Sequence, residues 1–193
     1  MMVEEHFEQL RKRVMSCKRC DLSRTRINPV FGEGSENAEI MFIGEAPGSN
    51  EDKQGRPFVG RAGKILDELL ASIDLEREDV YIANILKCRP PNNRNPERGE
   101  IESCTEYLDA QIEMISPKVL VPLGNFAFQY LFQKYGLNAE KISVVHGKIF
   151  KKTTLFGTVY IVPMYHPAVA TYNPNKKVIL LDDIKVLFEV LKK

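Results

Sequence analysis

The sequence lacks the features that place a protein in a membrane or mark it for export. None of its apolar runs approaches the ~20 residues that a membrane-spanning helix needs. Its first six residues, Met-Met-Val-Glu-Glu-His, lack the basic and then apolar pattern of a signal peptide. We therefore expect a cytoplasmic protein with no membrane partner, or a nuclear protein if its host has a nucleus.

Internal repeats, low-complexity tracts and linkers are absent as well. The 193 residues, 44% hydrophobic and 27% charged, have the composition of an ordinary globular protein that can bury one core. We therefore predict a single domain over residues 1–193 and expect it to be a monomer.

Two nucleotide-binding fingerprints are also missing. In the segment Gly60-Arg-Ala-Gly63-Lys64, Phe58 stands where a phosphate-binding loop needs its first glycine, and Ile65 replaces the serine or threonine. Gly32-Glu-Gly34 follows no predicted strand and has no third glycine at the required spacing. A nucleoside-triphosphate hydrolase or a dinucleotide-binding enzyme therefore has little support.

Charge is unevenly distributed, although the net charge is only +1. Residues 11–26 contain seven basic residues and one acid, and residues 141–152 contain four lysines and no acid. Acidic side chains instead gather between residues 100 and 113, a stretch without a basic residue, and predict an acidic helix with no basic partner. Such segregation suits a protein with one phosphate-facing side.

Short apolar runs alternate with helical periodicities along the chain. The runs at 39–43, 80–86, 118–123 and 158–164 predict buried strands. Amphipathic patterns predict helices over 2–15, 62–72, 97–115 and 177–192, and a further helix after residue 125. Two adjacent prolines predict a fixed extended loop over 89–96. This alternation predicts an α/β protein: a three-layer α/β/α sandwich with a four-stranded parallel central sheet.

Polar residues follow each predicted strand, namely Glu45, Cys88, Asn125 and His166 in turn. Parallel strands bring their carboxyl ends to one edge of the sheet, where α/β proteins bind ligands. Glu45 and Glu51 could supply the carboxylates of a hydrolytic site there. The alternative is an ordinary acidic turn that caps a helix.

The four cysteines, Cys17, Cys20, Cys88 and Cys104, indicate a metal site, because disulfides are rare in a cytoplasmic protein. Zinc sites usually use two closely spaced pairs, and the second pair here is widely separated. Scattered single ligands fit an iron–sulfur cluster at least as well. Zinc and four unrelated buried thiols remain alternatives at this point.

Several motifs together resemble those of family 4 uracil-DNA glycosylases. They are Gly44-Glu-Ala-Pro-Gly48, Glu51-Asp52, Gly55-Arg-Pro-Phe-Val-Gly60, Asn84 followed by Lys87-Cys-Arg-Pro-Pro91, and His166-Pro167. The resemblance runs from about residue 17 to residue 174 in the family's order. It implies the uracil-DNA glycosylase fold, a structural 4Fe–4S cluster held by the four cysteines, and no catalytic metal.

The resemblance also implies an activity and a set of site residues. The activity is monofunctional hydrolysis of the N-glycosidic bond of a flipped-out uracil in DNA, which releases free uracil, leaves an abasic site and initiates base excision repair. Asn84 would read the base edge, Phe58 would stack on the base, and His166 would hydrogen-bond uracil O2. Glu45 and Glu51 would position or activate water and support the cationic sugar, while Ala46 would contribute backbone.

The partners implied are uracil-containing DNA as substrate and uracil as product, with a sliding clamp as a candidate protein partner. Val169 and Tyr172 are candidates for a wedge that fills the space left by the flipped base. A non-catalytic, metal-bearing nucleic-acid-binding module is the main alternative. A relative that traps uracil-DNA covalently is another, but residues 144–148 show no arginine-rich insert before the loop histidine.

Overall fold

The structure, a computed structural model, describes residues 2–138, 140–155 and 157–191. The strands are β1 (Glu33–Gly34), β2 (Ile40–Gly44), β3 (Tyr81–Asn84), β4 (Val119–Pro122), β5 (Phe150–Thr154) and β6 (Gly157–Ile161). The helices are α1 (Met2–Met15), α2 (Leu22–Thr25), α3 (Ser49–Gln54), α4 (Arg61–Ala71), α5 (Arg98–Ile115), α6 (Asn125–Lys134), α7 (Ile142–Val145), α8 (Ala168–Tyr172) and α9 (Pro174–Leu191). None of the described helices is long and apolar enough to cross a membrane.

The sheet is larger than the sequence predicts. Its strand order is β1-β3-β2-β4-β6-β5. The four predicted strands pair in parallel, but β1 and β5 add an antiparallel strand at each edge. The prediction of a four-stranded, wholly parallel sheet is therefore wrong. The missed strands read as loops because β1 has two residues and β5 is Phe-Lys-Lys-Thr-Thr, the polar, lysine-bearing sequence of a protected edge.

Helices cover both faces of this sheet, as the alternating pattern predicts. Met41 and Ile43 of β2 enter a core that α1, α5 and α6 complete, with Leu108 of α5 among its buried side chains. Ile40 and Phe42 point to the opposite core, which α4 and α9 complete. Because successive strand residues face opposite sides, a fully apolar strand buries both faces, and this gives the three layers.

The proline-rich loop departs from its predicted extended form. Residues Pro91–Asn93 form a short 3₁₀ turn, in which Asn92 and Asn93 adopt left-handed backbone angles with φ of 54° and 55°. Asparagine tolerates this conformation better than most residues do. The two adjacent prolines exclude an α-helix here but leave room for a turn.

The acidic face of α5 has basic partners, most of them from other parts of the chain. Arg13 and Arg19 both contact Glu106, at 2.7 Å and 2.5 Å. Lys134 lies 3.0 Å from Asp109. These partners come from distant parts of the chain, so the prediction of an unpartnered acidic helix is wrong. Part of the basic segment 11–26 is thereby committed to ion pairs within the protein.

The carboxyl ends of β2, β3 and β4 meet at one edge of the sheet. Gly44 is in register with Asn84. A bridge between Leu123 and Met164 brings the segment after β6 to the same edge. His166 therefore lies beside the end of β4, within reach of the loop that follows β2.

Candidate active site

A cavity of about 390 Å³ opens at this edge of the sheet. It is lined by Glu45, Ala46, Gly48, Glu51, Phe58, Ala62, Asn84, Asn93, His166 and Ala168. The structure thus brings together all six cavity residues that the sequence predicts, Glu45, Ala46, Glu51, Phe58, Asn84 and His166. These residues come from four separate stretches of chain. They meet because β2, β3 and β4 end side by side and the bridge brings the segment after β6 to the same place.

Asn84, the last residue of β3, carries an unused buried acceptor. The residue is 2% exposed, and its side-chain Oδ1 accepts no hydrogen bond from the described residues. A Cβ at Gly44 would lie 2.3 Å from this oxygen, so the neighbouring strand must end in glycine to make room for it. A buried amide oxygen without a partner is costly unless a ligand supplies the donor.

Phe58 is held in an unusual backbone conformation at the cavity wall. Its φ is 51°, in the left-handed region, which costs a non-glycine residue roughly 1–3 kcal/mol. The ring is buried and stacks on His166, with ring centroids 5.5 Å apart and planes 23° apart. Gly63 allows α4 to approach closely, since a Cβ there would lie 1.7 Å from the Phe58 carbonyl oxygen.

Arg77 fixes the strained loop from behind, and no local pattern in the sequence marks this residue. Its guanidinium donates hydrogen bonds to the carbonyl of Pro57, at 3.0 Å, and to that of Phe58. Asp67 holds the same guanidinium at 2.7 Å. Glu33 lies 3.7 Å from it, and the Arg56 guanidinium beside Glu33 lowers the pKa of that carboxyl.

His166 is neutral and has a defined tautomer. The backbone N–H of Ala168 donates to Nδ1 at 3.2 Å, so the ring proton resides on Nε2. Burial lowers the pKa of His166 to about 4, and the nearby Glu51 carboxylate only partly opposes this. Near neutral pH the ring therefore offers an uncharged Nε2–H donor.

The two carboxylates differ in their surroundings. Glu51 Oε1 accepts hydrogen bonds from the backbone N–H groups of Val59 and Gly60, at 2.9 and 2.8 Å, so this side chain helps to shape the Phe58 loop. Glu45 is half-buried, and no hydrogen bond or ion pair reaches its carboxylate from the described residues. Burial raises the pKa of Glu45 above its usual value, as expected for a group that can act as a base.

Four cavity residues were not predicted from the sequence: Gly48, Ala62, Asn93 and Ala168. Asn93 comes from the 3₁₀ turn, and its side-chain oxygen accepts a hydrogen bond from Arg89 Nε at 2.7 Å. Its signal in the sequence was the asparagine pair within a proline-rich loop, where side chains on fixed backbone often carry function.

The four cysteines come together in one part of the α5-side core. Cys88 and Cys104 are buried, and Cys17 and Cys20 pack half-buried against the same cluster. The Cys88 thiol interacts electrostatically with both Cys17 and Cys20, and the Cys104 thiol with Cys88. All four are free thiols. Burial raises the pKa of Cys104 to about 11.

Hydrogen-bond donors face these sulfur atoms. Arg26 donates to Cys88 Sγ at 2.9 Å, and the backbone N–H of Lys87 donates to Cys104 Sγ at 3.2 Å. Among the described residues, no three His, Cys, Asp or Glu side chains are arranged to hold a metal ion. Four thiols with N–H groups facing them fit an iron–sulfur cluster. Such a cluster contains several metal atoms, so its sulfur ligands stand further apart than the ligands of a single metal ion.

A larger cavity, of about 880 Å³, lies at the opposite edge of the sheet. It is bounded by the ends of α5 and α6 and by the β5–β6 hairpin, and it contains none of the predicted site residues. Volume alone therefore does not identify the chemical site. The smaller cavity has the unpaired amide, the neutral histidine and the two carboxylates.

Comparison with known proteins assigns the chain to a protein class, and the fold and this cavity are consistent with that class. The family model described as "Uracil DNA glycosylase superfamily" matches residues 31–188. The chain belongs to this superfamily.

Individual relatives narrow the assignment to type-4 glycosylases. A type-4 uracil-DNA glycosylase of Sulfurisphaera tokodaii is 49% identical over 96% of this chain and 85% of the relative. One of Archaeoglobus fulgidus is 48% identical over 98% of this chain and 95% of the relative, and one of Thermotoga maritima is 42% identical over 98% and 97%. The predicted family, and with it the assignment as a uracil-DNA glycosylase, is confirmed.

Proposed function

We propose that this protein excises uracil from DNA: it binds a flipped-out uracil, hydrolyses the N-glycosidic bond and leaves an abasic site for base excision repair. The observation that carries this proposal is the unsatisfied Oδ1 of Asn84, which lies in the same cavity as Phe58 and His166. An amide with a free acceptor, a flat ring and a neutral imidazole donor match the groups that uracil presents.

Asn84 selects the base. Its Oδ1 accepts from uracil N3–H, and its Nδ2 donates to O4. Cytosine presents an amino group in place of O4 and an unprotonated N3, so the same amide mismatches both positions. Because Oδ1 is buried, a wrong base also leaves it unpaired, which increases the discrimination. Phe58 stacks on the face of the base and adds affinity without base preference.

His166 stabilises the departing base. Cleavage of the N-glycosidic bond moves negative charge onto uracil O2 and N1 and leaves positive charge on the sugar. The Nε2–H of His166 donates to O2, and a neutral donor suits this step because it needs no proton transfer. Uracil leaves as an anion that solvent later protonates.

The carboxylates have separate tasks. Glu45, half-buried and without a partner among the described residues, takes a proton from the water that adds to the sugar C1′ and stabilises the cationic sugar. Glu51 acts chiefly by holding the loop at Val59 and Gly60, and its charge also faces His166.

A monofunctional reaction fits the cavity lining. Glycosylases that also cut the strand need an amine nucleophile to form a Schiff base with the sugar. The described residues that line the cavity include no lysine. In this proposal water is the nucleophile, and the product is an intact strand with an abasic site.

The four cysteines hold a 4Fe–4S cluster in this proposal. Bound there, the cluster would crosslink the segment after α1, the segment after β3 and helix α5. Its contribution is structural, because the thiols pack in the α5-side core and do not line the base cavity.

Tyr172 is the stronger wedge candidate. It is 79% exposed at the end of α8, whereas Val169 packs partly buried against the core. Both follow Ala168, which lines the cavity. An exposed aromatic ring on the short helix that begins at a cavity residue can fill the gap that a flipped nucleotide leaves in the duplex. A sliding clamp as partner, a cytoplasmic location, a monomeric state and a single domain stay expectations from the sequence.

The experiment that tests the function uses the purified protein with single-uracil oligonucleotides and matched oligonucleotides that carry thymine or cytosine. Excess chelator and no added metal are present, and alkali-labile sites and free base are both measured. We expect uracil release in stoichiometric agreement with abasic sites, and no strand cleavage before alkali. Absence of release from every uracil context, with DNA binding retained, would reject the enzyme and favour a non-catalytic DNA-binding module.

A further inference from the structure

Lys87 is a buried cation outside the cavity. The residue is 1% exposed, and its ammonium donates to the backbone carbonyl of Asn84 at 3.0 Å and to Gln111 Oε1 at 2.6 Å. Burial of a charged group is costly unless its hydrogen bonds are well made, so the site has been built around this contact. No step of the proposed reaction uses it.

Gln111, on α5, has one permitted orientation. Its Nε2 donates to the carbonyl of Phe31 at 2.9 Å and to the hydroxyl of Tyr81 at 3.0 Å. With both amide hydrogens committed, Oε1 faces the ammonium of Lys87. The residue is 0% exposed, so water cannot take over any of these bonds.

The contact fixes the peptide that carries the base-reading side chain. On one side of this segment, the N–H groups of Ile85 and Leu86 donate to the carbonyls of Gly44 and Glu45, both at 3.0 Å. On the other side, β1 pairs with β3 only as far as Ile82, so strand pairing with β1 does not reach Asn84. The ammonium of Lys87 supplies a donor to the Asn84 carbonyl there.

We propose that Lys87 and Gln111 are positioning residues for base selection: together they fix the Asn84 peptide so that its side-chain amide faces the uracil edge. This inference rests on the proposed function, because it explains what holds the Asn84 amide in the orientation that reads uracil. An amide held in place before the base arrives discriminates better than one that must be ordered on binding.

The test compares Gln111→Met with Tyr81→Phe. Gln111→Met keeps the side-chain volume and removes the acceptor for Lys87. Tyr81→Phe is the matched control, because it removes a hydroxyl from the same network while Gln111 keeps its bond to Phe31.

The readout is the single-turnover rate at saturating enzyme, which is insensitive to an inactive fraction. Two substrates are used: uracil, and pyrimidin-2-one, which lacks O4 and carries no proton on N3. We expect Gln111→Met to slow uracil release by about tenfold and pyrimidin-2-one release by less than about threefold. Tyr81→Phe should stay within about threefold of the wild type for both bases.

Each other outcome has a defined meaning. If Gln111→Met slows the release of both bases equally, or of neither base, the positioning role is overturned. Uracil release by the wild-type protein would still support the proposed function in that case. Wild-type protein that releases no uracil overturns both. If Gln111→Met does not fold, Lys87→Met replaces it.

A measurement on the wild-type protein needs no variant. The Asn84 side-chain amide should show an NMR order parameter near the value of about 0.85 seen for rigid backbone, and a value below about 0.6 would overturn the proposal.

Discussion

The base cavity and the cysteine region differ in how completely the polypeptide alone arranges them. In the cavity, contacts within the chain hold three of the functional groups: Arg77 holds Phe58, Ala168 holds His166, and Lys87 holds the Asn84 peptide. The four thiols share one part of the core but are not arranged as a metal-ion site within the described residues. Hydrogen bonds thus preorganise the base cavity, whereas the proposed cluster would have to complete the geometry of the four thiols.

This contrast predicts different effects for substitutions in the two regions. Breaking a contact in the cavity should lower the rate constant of folded enzyme, since catalysis depends on preorganised groups. Removing a thiol should lower stability and the amount of active enzyme, because bound metal contributes to folding.

The largest expected effect on rate is that of His166→Gln. The variant replaces the imidazole, which the Ala168 N–H holds in place, with a flexible amide, and loss of one preorganised donor at uracil O2 costs about 100-fold to 1,000-fold in kcat. Single-turnover uracil release from a single-uracil oligonucleotide measures this loss of rate. We expect KM for DNA to change little, because contacts with the phosphates dominate DNA binding. A rate within about threefold of the wild type would show that leaving-group stabilisation lies elsewhere.

The same residue predicts a pH dependence of stability. The pKa of His166 falls from 6.5 to about 4 on folding. Between these values the unfolded state binds more protons, so stability falls as the pH drops from 6.5 toward 4, by at most about 3 kcal/mol. Urea unfolding at several pH values should show that His166→Gln loses less stability than the wild type over this interval. Parallel curves would contradict burial of a neutral histidine.

Removal of one thiol should separate stability from chemistry. We expect Cys20→Ala to lower bound iron and to reduce the free energy of unfolding by several kcal/mol, as for loss of a structural metal site. The rate constant of the folded fraction should stay within about threefold of the wild type. Ser23→Ala is the control, because Ser23 only donates to the Cys20 carbonyl, at 2.8 Å. Full iron content in Cys20→Ala would remove Cys20 from the ligand set.

The smallest of these effects concerns the loop behind Phe58. Arg77→Met removes two hydrogen bonds to the carbonyls of Pro57 and Phe58, and we expect a rate loss of about tenfold as the strained conformation relaxes. Arg56→Gln is the matched control: it loses the 2.7 Å pair with Glu33 and makes no contact with those two carbonyls. Equal effects of the two variants would mean that surface charge, and not loop position, matters.

Local sequence was enough to predict the sheet edge and the cavity residues Glu45, Glu51 and His166, because strand periodicity and the residues that follow each strand are short-range features. The same pattern also selected Cys88 and Asn125, which are not among the described residues that line the cavity. Glu45, Asn84 and His166 each lie at or beyond the end of an apolar run. The resemblance to family 4 supplied their roles.

Long-range partnerships were not predictable in this way. The pairs of Lys87 with Gln111 and of Arg19 with Glu106 join residues 24 and 87 positions apart. Nothing in a local pattern marks such a partner. Strand β5 was missed for a different reason: an exposed edge strand has little apolar periodicity to detect.

The central claim is that Asn84 reads the base, and exchange of its amide for a carboxyl tests that claim most directly. Release of uracil and of cytosine should be measured side by side for the wild type and Asn84→Asp at saturating enzyme. We predict that the variant loses uracil release by at least about 100-fold and gains cytosine release, since a protonated carboxyl complements cytosine N3 and its amino group. Uracil release that stays within about threefold of the wild type would contradict the account.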